Sequence, residues 1–193
     1  MAVEKSIVVL NGSPRASSRT GHLLGRITKA LARHIEAPVR HINLAQSAPA
    51  LLSSLSREGL TGEGEGLLRQ IEAADLLVVG TPVYRASYTG ALKHVFDLVD
   101  RDALAGKIVL LAATGGTALH GLVGEHQLRP LFGFFRAITV PTVVFATETE
   151  IDAMQVSELL EARIDRAAQE AAHLLSAARI AAARPEPAIA VGA

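Results

Sequence analysis

A chain of 193 residues with 49% apolar and 20% charged side chains can bury one core of ordinary domain size, which excludes disorder as its dominant state. Its 19 lysines and arginines balance 19 acids, so no field of one sign covers the surface, and bulk electrostatic nucleic-acid binding is disfavoured. The lack of cysteine excludes disulfides, thiolate nucleophiles, zinc fingers and cysteine-ligated clusters.

The first residues pass into an apolar run without a signal-peptide cleavage pattern. No run approaches the roughly 20 apolar residues of a membrane span, so a cytoplasmic protein free of membranes is expected. Residues 7–10 are apolar and β-branched, the habit of a strand buried on both faces. Leu23, Leu24, Ile27, Leu31 and Ile35 then recur at helical spacing. A second strand is expected at 39–44. Segment 46–66 is weakly patterned and rich in Ser and Gly, which suits a functional loop or a contact with another chain, with a short helix around 50–55 as an option.

A third strand is expected at 76–81, followed after Thr89 by a helix carrying Leu92, Val95, Phe96 and Val99. A fourth at 108–113 precedes a helix carrying Leu119, Leu122, Val123 and Leu128. Phe132, Phe134 and Phe135 read equally as core or as a contact with a second chain. The fifth strand is expected at 142–146. The longest helix runs from Val156 through Leu159, Leu160, Ile164, Ala168 and Ala171 to Leu175, and its basic residues alternate with Glu158, Glu161, Asp165 and Glu170 as a solvent-facing stripe. Residues 1–180 form one domain in this reading, and 181–193 a flexible tail.

Strands alternating with helices predict an α/β three-layer sandwich with right-handed crossovers. Five strands fit the flavodoxin-like parallel order 2-1-3-4-5, with helices on both faces. In such sheets ligands sit at the carboxyl ends of the strands, beside the switch in strand order. Strands one, three and four each end there in an unusual loop. Segment 11–20 offers the hydroxyls of Ser13, Ser17, Ser18 and Thr20, the N–H groups of a helix start, and Arg15 and Arg19. That chemistry suits a phosphate, although Ser18 serving only as a helix cap explains part of it. Segment 80–93 holds both tyrosines, Tyr84 and Tyr88, which suit either a flat wall for a planar ring or packing against neighbouring elements. Thr114, Gly115, Gly116 and Thr117 suit either close approach of backbone to a ligand or a plain turn.

The three segments together resemble the NADPH-dependent FMN reductase family, in particular the flavin reductases of two-component alkanesulfonate monooxygenase systems. The resemblance rests on G-S-P-R-x-x-S-x-T at 12–20, T-P-V-Y-x-x-S-Y-T-G at 81–90 and T-G-G at 114–116, and extends over residues 5–175. It implies that Ser13, Arg15, Ser18, Arg19 and Thr20 hold the FMN phosphate. It also implies that Pro82, Val83, Tyr84, Arg85 and Ser87 border the isoalloxazine, and that Thr114, Gly115 and Gly116 meet its pyrimidine edge. The implied activity is hydride transfer from NADPH or NADH to FMN, with reduced FMN supplied to a partner monooxygenase in organosulfur use. The cofactors carry that chemistry, so no catalytic side chain is named. A homodimer or homotetramer is implied, because family members complete an open site with a second chain.

Some sulfonate-system reductases have an extra aromatic residue that makes a π-bulge in the helix after the third loop. His126 stands at that position and is expected either to line the subunit interface and tune flavin binding or to be an ordinary helix histidine. Scattered histidines without H-E-x-x-H argue against a metal site, and the missing G-x-S-x-G against a serine hydrolase. Glu63 with Glu65, and Glu148 with Glu150, read as solvated pairs. Two alternatives are an FMN-retaining quinone, azo or chromate reductase, and a non-enzymatic FMN-binding electron-transfer module.

Overall fold

Strand β1 (Ile7–Asn11) is buried along its whole length and lies between β2 (Val39–Asn43) and β3 (Leu76–Pro82), parallel to both, with Ile7 opposite Val39 and Leu76. These coordinates come from a computed structural model, which describes residues 5–151 and 156–182. Beyond β3 lies β4 (Ile108–Gly115), followed by β5 (Ile138–Thr139) and β6 (Val144–Thr147), both parallel to β4. The order β2-β1-β3-β4-β5 is the flavodoxin-like order expected from the sequence.

Side chains alternate across this sheet, so β1 sends Ile7 and Val9 to one face and Val8 and Leu10 to the other. On the first face α1 (Arg19–Leu31) buries Leu23, Leu24 and Ile27, and α6 (Glu158–Ala182) buries Leu160, Ile164, Ala168 and Ala171. On the second lie α2 (Leu44–Leu51), α3 (Gly62–Ala73), α4 (Gly90–Leu98) and α5 (Arg129–Phe134). Each fully buried large apolar side chain is worth about 1.5–3 kcal/mol. Phe132 and Phe135 belong to this second core, with Phe96 and Phe132 edge to face at 4.8 Å, whereas Phe134 is exposed.

The expected fifth strand at 142–146 is two short strands instead. Pro141 has no N–H for the ladder, and the chain leaves it there. The Arg129 guanidinium donates to Val140 O (3.1 Å) and Pro141 O (2.9 Å), and Thr142 N donates to the Glu170 carboxylate at 2.8 Å. Side chains thus satisfy the backbone groups that the ladder abandons. Glu170, placed in the solvent-facing stripe by the sequence, is one of them. Arg26 of α1 pairs with Glu161 and Arg33, in the turn just after α1, pairs with Asp165, so the stripe on α6 is joined to its neighbour rather than facing solvent alone.

Segment 46–66 is more ordered than its composition suggests. The expected short helix lies earlier, as α2, and α3 was hidden by Gly62, Gly64 and Gly66, which are poor helix formers. Thr61 caps α3 by accepting from Gly64 N at 3.2 Å. Arg57 bridges Glu65 and Glu72, pinning the preceding turn to the helix. Glu65 is therefore an ion-pair partner, and its hydrogen bonds from Arg57 and Arg69 hold its carboxyl down at about 2. A Cβ on Gly64 would lie 2.5 Å from the Ala50 carbonyl oxygen, while Gly66 faces open space. Gly64→Ala should lower unfolding stability by about 1–3 kcal/mol, and Gly66→Ala should raise it by about 0.5–1 kcal/mol, as read by denaturant titration.

The helix expected around Leu119–Leu128 is not regular. A 3-10 turn (Ala118–His120) leads to a π-helical turn (Gly124–Leu128), where Arg129 N donates to Gly124 O five residues back. A proline ring collides with the carbonyl four residues before it, and the widened turn makes room for Pro130. The change of period moves Leu119 and Leu122 off the buried face, leaving them 90% and 62% exposed, while Val123 and Leu128 stay buried. His126 lies on this π-helical turn and is exposed. Of the expected tail at 181–193, residues 183–193 lie outside the described residues.

Candidate functional site

A cavity of about 650 Å³ opens at the carboxyl ends of β1, β3 and β4, beside the reversal in strand order. The loops behind it are tied together by hydrogen bonds between separate elements. Asn11 Oδ1 accepts from Ser13 N (3.1 Å) and Asn11 Nδ2 donates to Asn43 Oδ1 (3.2 Å), which ties the first loop to β2. Gly12 N donates to Gly80 O at 2.7 Å, and a Cβ on Gly12 would stand 3.0 Å from that oxygen, so the chain needs glycine to cross the end of β3. The hydroxyl of Thr89 donates to Gly12 O (2.8 Å) and accepts from Leu92 N (3.2 Å), locking the first loop to the cap of α4.

Ser13 is buried and its Oγ accepts from Arg15 N at 3.2 Å. Ser18 caps α1 by accepting from Gly21 N at 3.1 Å, so the cap reading and a role in the cavity coexist. Thr20 and Thr114, both buried, share a hydrogen bond of 2.7 Å that joins the first and third loops. Among the described residues the Arg15 guanidinium has no hydrogen-bond or ion-pair partner, whereas Arg19 pairs with Glu148 across the cavity wall. The loop therefore presents serine hydroxyls, a helix N-terminus and two guanidinium groups to one space, a donor set matched to a phosphate.

Pro82, Val83 and Tyr84 form another wall, with Val83 N donating to Thr114 O at 2.7 Å. The two tyrosines divide: Tyr84 lines the cavity and is exposed, while Tyr88 packs on the core. Tyr84 and Ser87 close a two-residue hairpin with left-handed Arg85 (φ 51°) and Ala86 (φ 64°) at its tip. Non-glycine residues there store strain on the order of 1–2 kcal/mol each. Arg85 faces a smaller neighbouring recess of about 400 Å³ with Val83 and Tyr84. Ser87 lies outside the lining of both recesses and contacts Gln127 of the π-helical turn at 3.4 Å.

Gly115 and Gly116 complete the cavity at the end of β4. A Cβ on Gly115 would stand 2.9 Å from His120 Cβ and 3.0 Å from Phe145 Cζ, so only glycine lets these groups approach. His120 Nδ1 is buried there without a hydrogen-bond partner among the described residues. Eleven of the thirteen residues named from the sequence line this cavity. Ser17, His22, Glu148 and Ile151 also line it and were not among them. His22 follows Arg19 by three residues on α1, a helical spacing that could have revealed it. Glu148 and Glu150 are not simply solvated. Burial alone would raise the Glu150 carboxyl, and the Thr147 N–H and hydroxyl with Arg163 outweigh it, holding it below the ordinary range.

No helix among the described residues is long and apolar enough to cross a membrane. Residues 6–152 match the family described as NADPH-dependent FMN reductase. An NADH-dependent FMN reductase, SfnF, of Pseudomonas fluorescens is 48% identical over 169 residues, covering 87% of this chain and 90% of its own. An FMN reductase (NADPH) of Pseudomonas aeruginosa is 47% identical over 169 residues, covering 87% and 91%. Among solved structures, an oxidoreductase from Corynebacterium diphtheriae superposes with a TM-score of 0.81 at 36% identity, covering 90% of this chain and 98% of that one. With the strand order, the phosphate-matched loop and the glycine strand end in one cavity, these likenesses make the chain an oxidoreductase belonging to the NADPH-dependent FMN reductase family.

Proposed function

We propose that the cavity holds FMN with its phosphate at residues 13–20 and its ring system against Pro82, Val83, Tyr84, Thr114, Gly115 and Gly116. The observation that carries this reading is the meeting of all three loops around one space of about 650 Å³, within the size range of cofactor pockets. Ser13 and Ser18 offer hydroxyls, Arg15 and Arg19 offer forked cations, and Thr20 braces the loop through Thr114. Tyr84 and Pro82 offer the flat wall, and the missing side chain at Gly116 leaves room for a ring edge, while Gly115 lets His120 and Phe145 pack behind it. Arg85 borders the open side of the ring, and Ser87 closes the hairpin that presents it. When bound, the flavin supplies a two-electron acceptor for hydride from NADH or NADPH. The chain's own work is to orient the two nucleotides and to shield the reacting faces from water.

In this reading reduced FMN leaves for a partner monooxygenase of an organosulfur system, in the cytoplasm. The resemblance of the three loops to sulfonate-system reductases supports that assignment. Exposed Leu119, Leu122, Phe134 and Ile138 support a homodimer or homotetramer, with His126 at its interface. The test is nicotinamide oxidation by dialysed protein, followed by absorbance. Oxidation that requires added FMN, with sequential kinetics, is expected. A yellow protein with ping-pong kinetics would replace flavin supply by FMN-retaining reduction of another acceptor, and no oxidation at all would overturn the reading.

A further inference from the structure

We infer that Glu148 keeps bound FMN exchangeable, because its carboxylate competes with the flavin phosphate for Arg19. The inference rests on the cavity being an FMN site. Glu148 follows β6, and its Oε1 pairs with Arg19 Nη2 inside the cavity lining. The same oxygen is the nearest atom, at 4.0 Å, to the point where a Cβ on Gly116 would stand. One carboxylate therefore stands between the phosphate end and the ring end of the cavity.

The turn that carries Glu148 is anchored without it. Glu150 accepts from Thr147 N and Thr147 Oγ1, both at 2.9 Å, and Arg163 donates to Phe145 O at 2.6 Å. The Glu148 side chain can thus swing away while the turn stays in place. Arg19 and Glu148 are 47% and 51% exposed, a degree at which an ion pair is weak and replaceable. Arg15 and Arg19 together match the charge of a phosphomonoester, about −1.5 to −2 near neutral pH. With Glu148 in place, the lining loses one of those positive charges and adds a like charge beside the ligand. Binding must break the pair, and the re-forming pair helps expel the phosphate. Such a competitor suits a flavin that is exchanged as substrate, whereas a permanently held one gains nothing from it.

The test is Glu148→Gln, which keeps the shape and removes the charge. Flavin fluorescence titration should show FMN binding about three- to fivefold tighter, with riboflavin unchanged and FMN release slowed by a similar factor. Arg19→Ala should cost more FMN affinity in the Glu148→Gln background than in the wild type, since Arg19 is then no longer shared. Unchanged or weaker FMN binding by Glu148→Gln, or equal tightening of FMN and riboflavin, overturns the inference. A wild-type protein that prefers FMN over riboflavin beside an indifferent Glu148→Gln overturns this inference alone. A wild type indifferent to the phosphate removes the site reading with it.

Discussion

Arg15→Ala should weaken FMN by about ten- to a hundredfold and leave riboflavin within about twofold of wild type. The guanidinium is exposed at the cavity and uncommitted among the described residues, so no internal bond is lost when it is removed. A hydrogen bond to a charged group contributes about 1.5–3 kcal/mol, which sets the expected factor. Riboflavin lacks the phosphate and so has nothing to lose. Unfolding stability should stay within about 0.5 kcal/mol, as for other exposed positions. Titration by flavin fluorescence with both ligands measures the difference, and a parallel loss for FMN and riboflavin would move Arg15 away from the phosphate.

The neighbouring glycines at the end of β4 should respond in opposite ways. Gly115→Ala drives a Cβ into the Cβ of His120 and the ring of Phe145, neither of which can yield without moving backbone or core. Overpacking of this kind costs about 1–3 kcal/mol, and a lowered thermal midpoint should report it. Gly116→Ala meets nothing closer than the Glu148 carboxylate at 4.0 Å, so the protein should melt as the wild type does. Its methyl group would nevertheless stand where the ring edge is proposed to lie. FMN and riboflavin should therefore both bind at least about fivefold more weakly, by the same overpacking argument. Loss for both flavins at Gly116, against loss for FMN alone at Arg15, separates the ring end of the cavity from the phosphate end. Undiminished flavin binding by Gly116→Ala would place the ring elsewhere.

What the residues made legible was what local chemistry determines. β1, β3 and β4 are buried on both faces, and continuous apolar runs announce that state without help from distant contacts. The three loops at their carboxyl ends were legible only in combination, since a helix cap, side-chain packing or a plain turn accounts for each one taken alone. Features set by long-range geometry were not. The three glycines of α3 read as loop, and the helix forms because Gly64 lets it lie against the Ala50 carbonyl, a contact between separate elements. The division of the fifth strand depends on Arg129 and Glu170 reaching carbonyls and amides that Pro141 disrupts. Leu119 and Leu122 kept helical spacing in a stretch where the period itself changes, so spacing pointed to burial that does not occur. Glu148 was invisible as part of the cavity because its partner Arg19 lies far away in the chain and only the fold brings them together.

The FMN phosphate is expected where β1 gives way to α1. A crystal structure of the protein grown with FMN tests it most directly. Phosphate oxygens should lie within hydrogen-bond reach of Ser13, Arg15 and Ser18, with the ring system between Tyr84 and Gly116. Phosphate bound at any other strand end, or a ring system seated at residues 13–20, would contradict it.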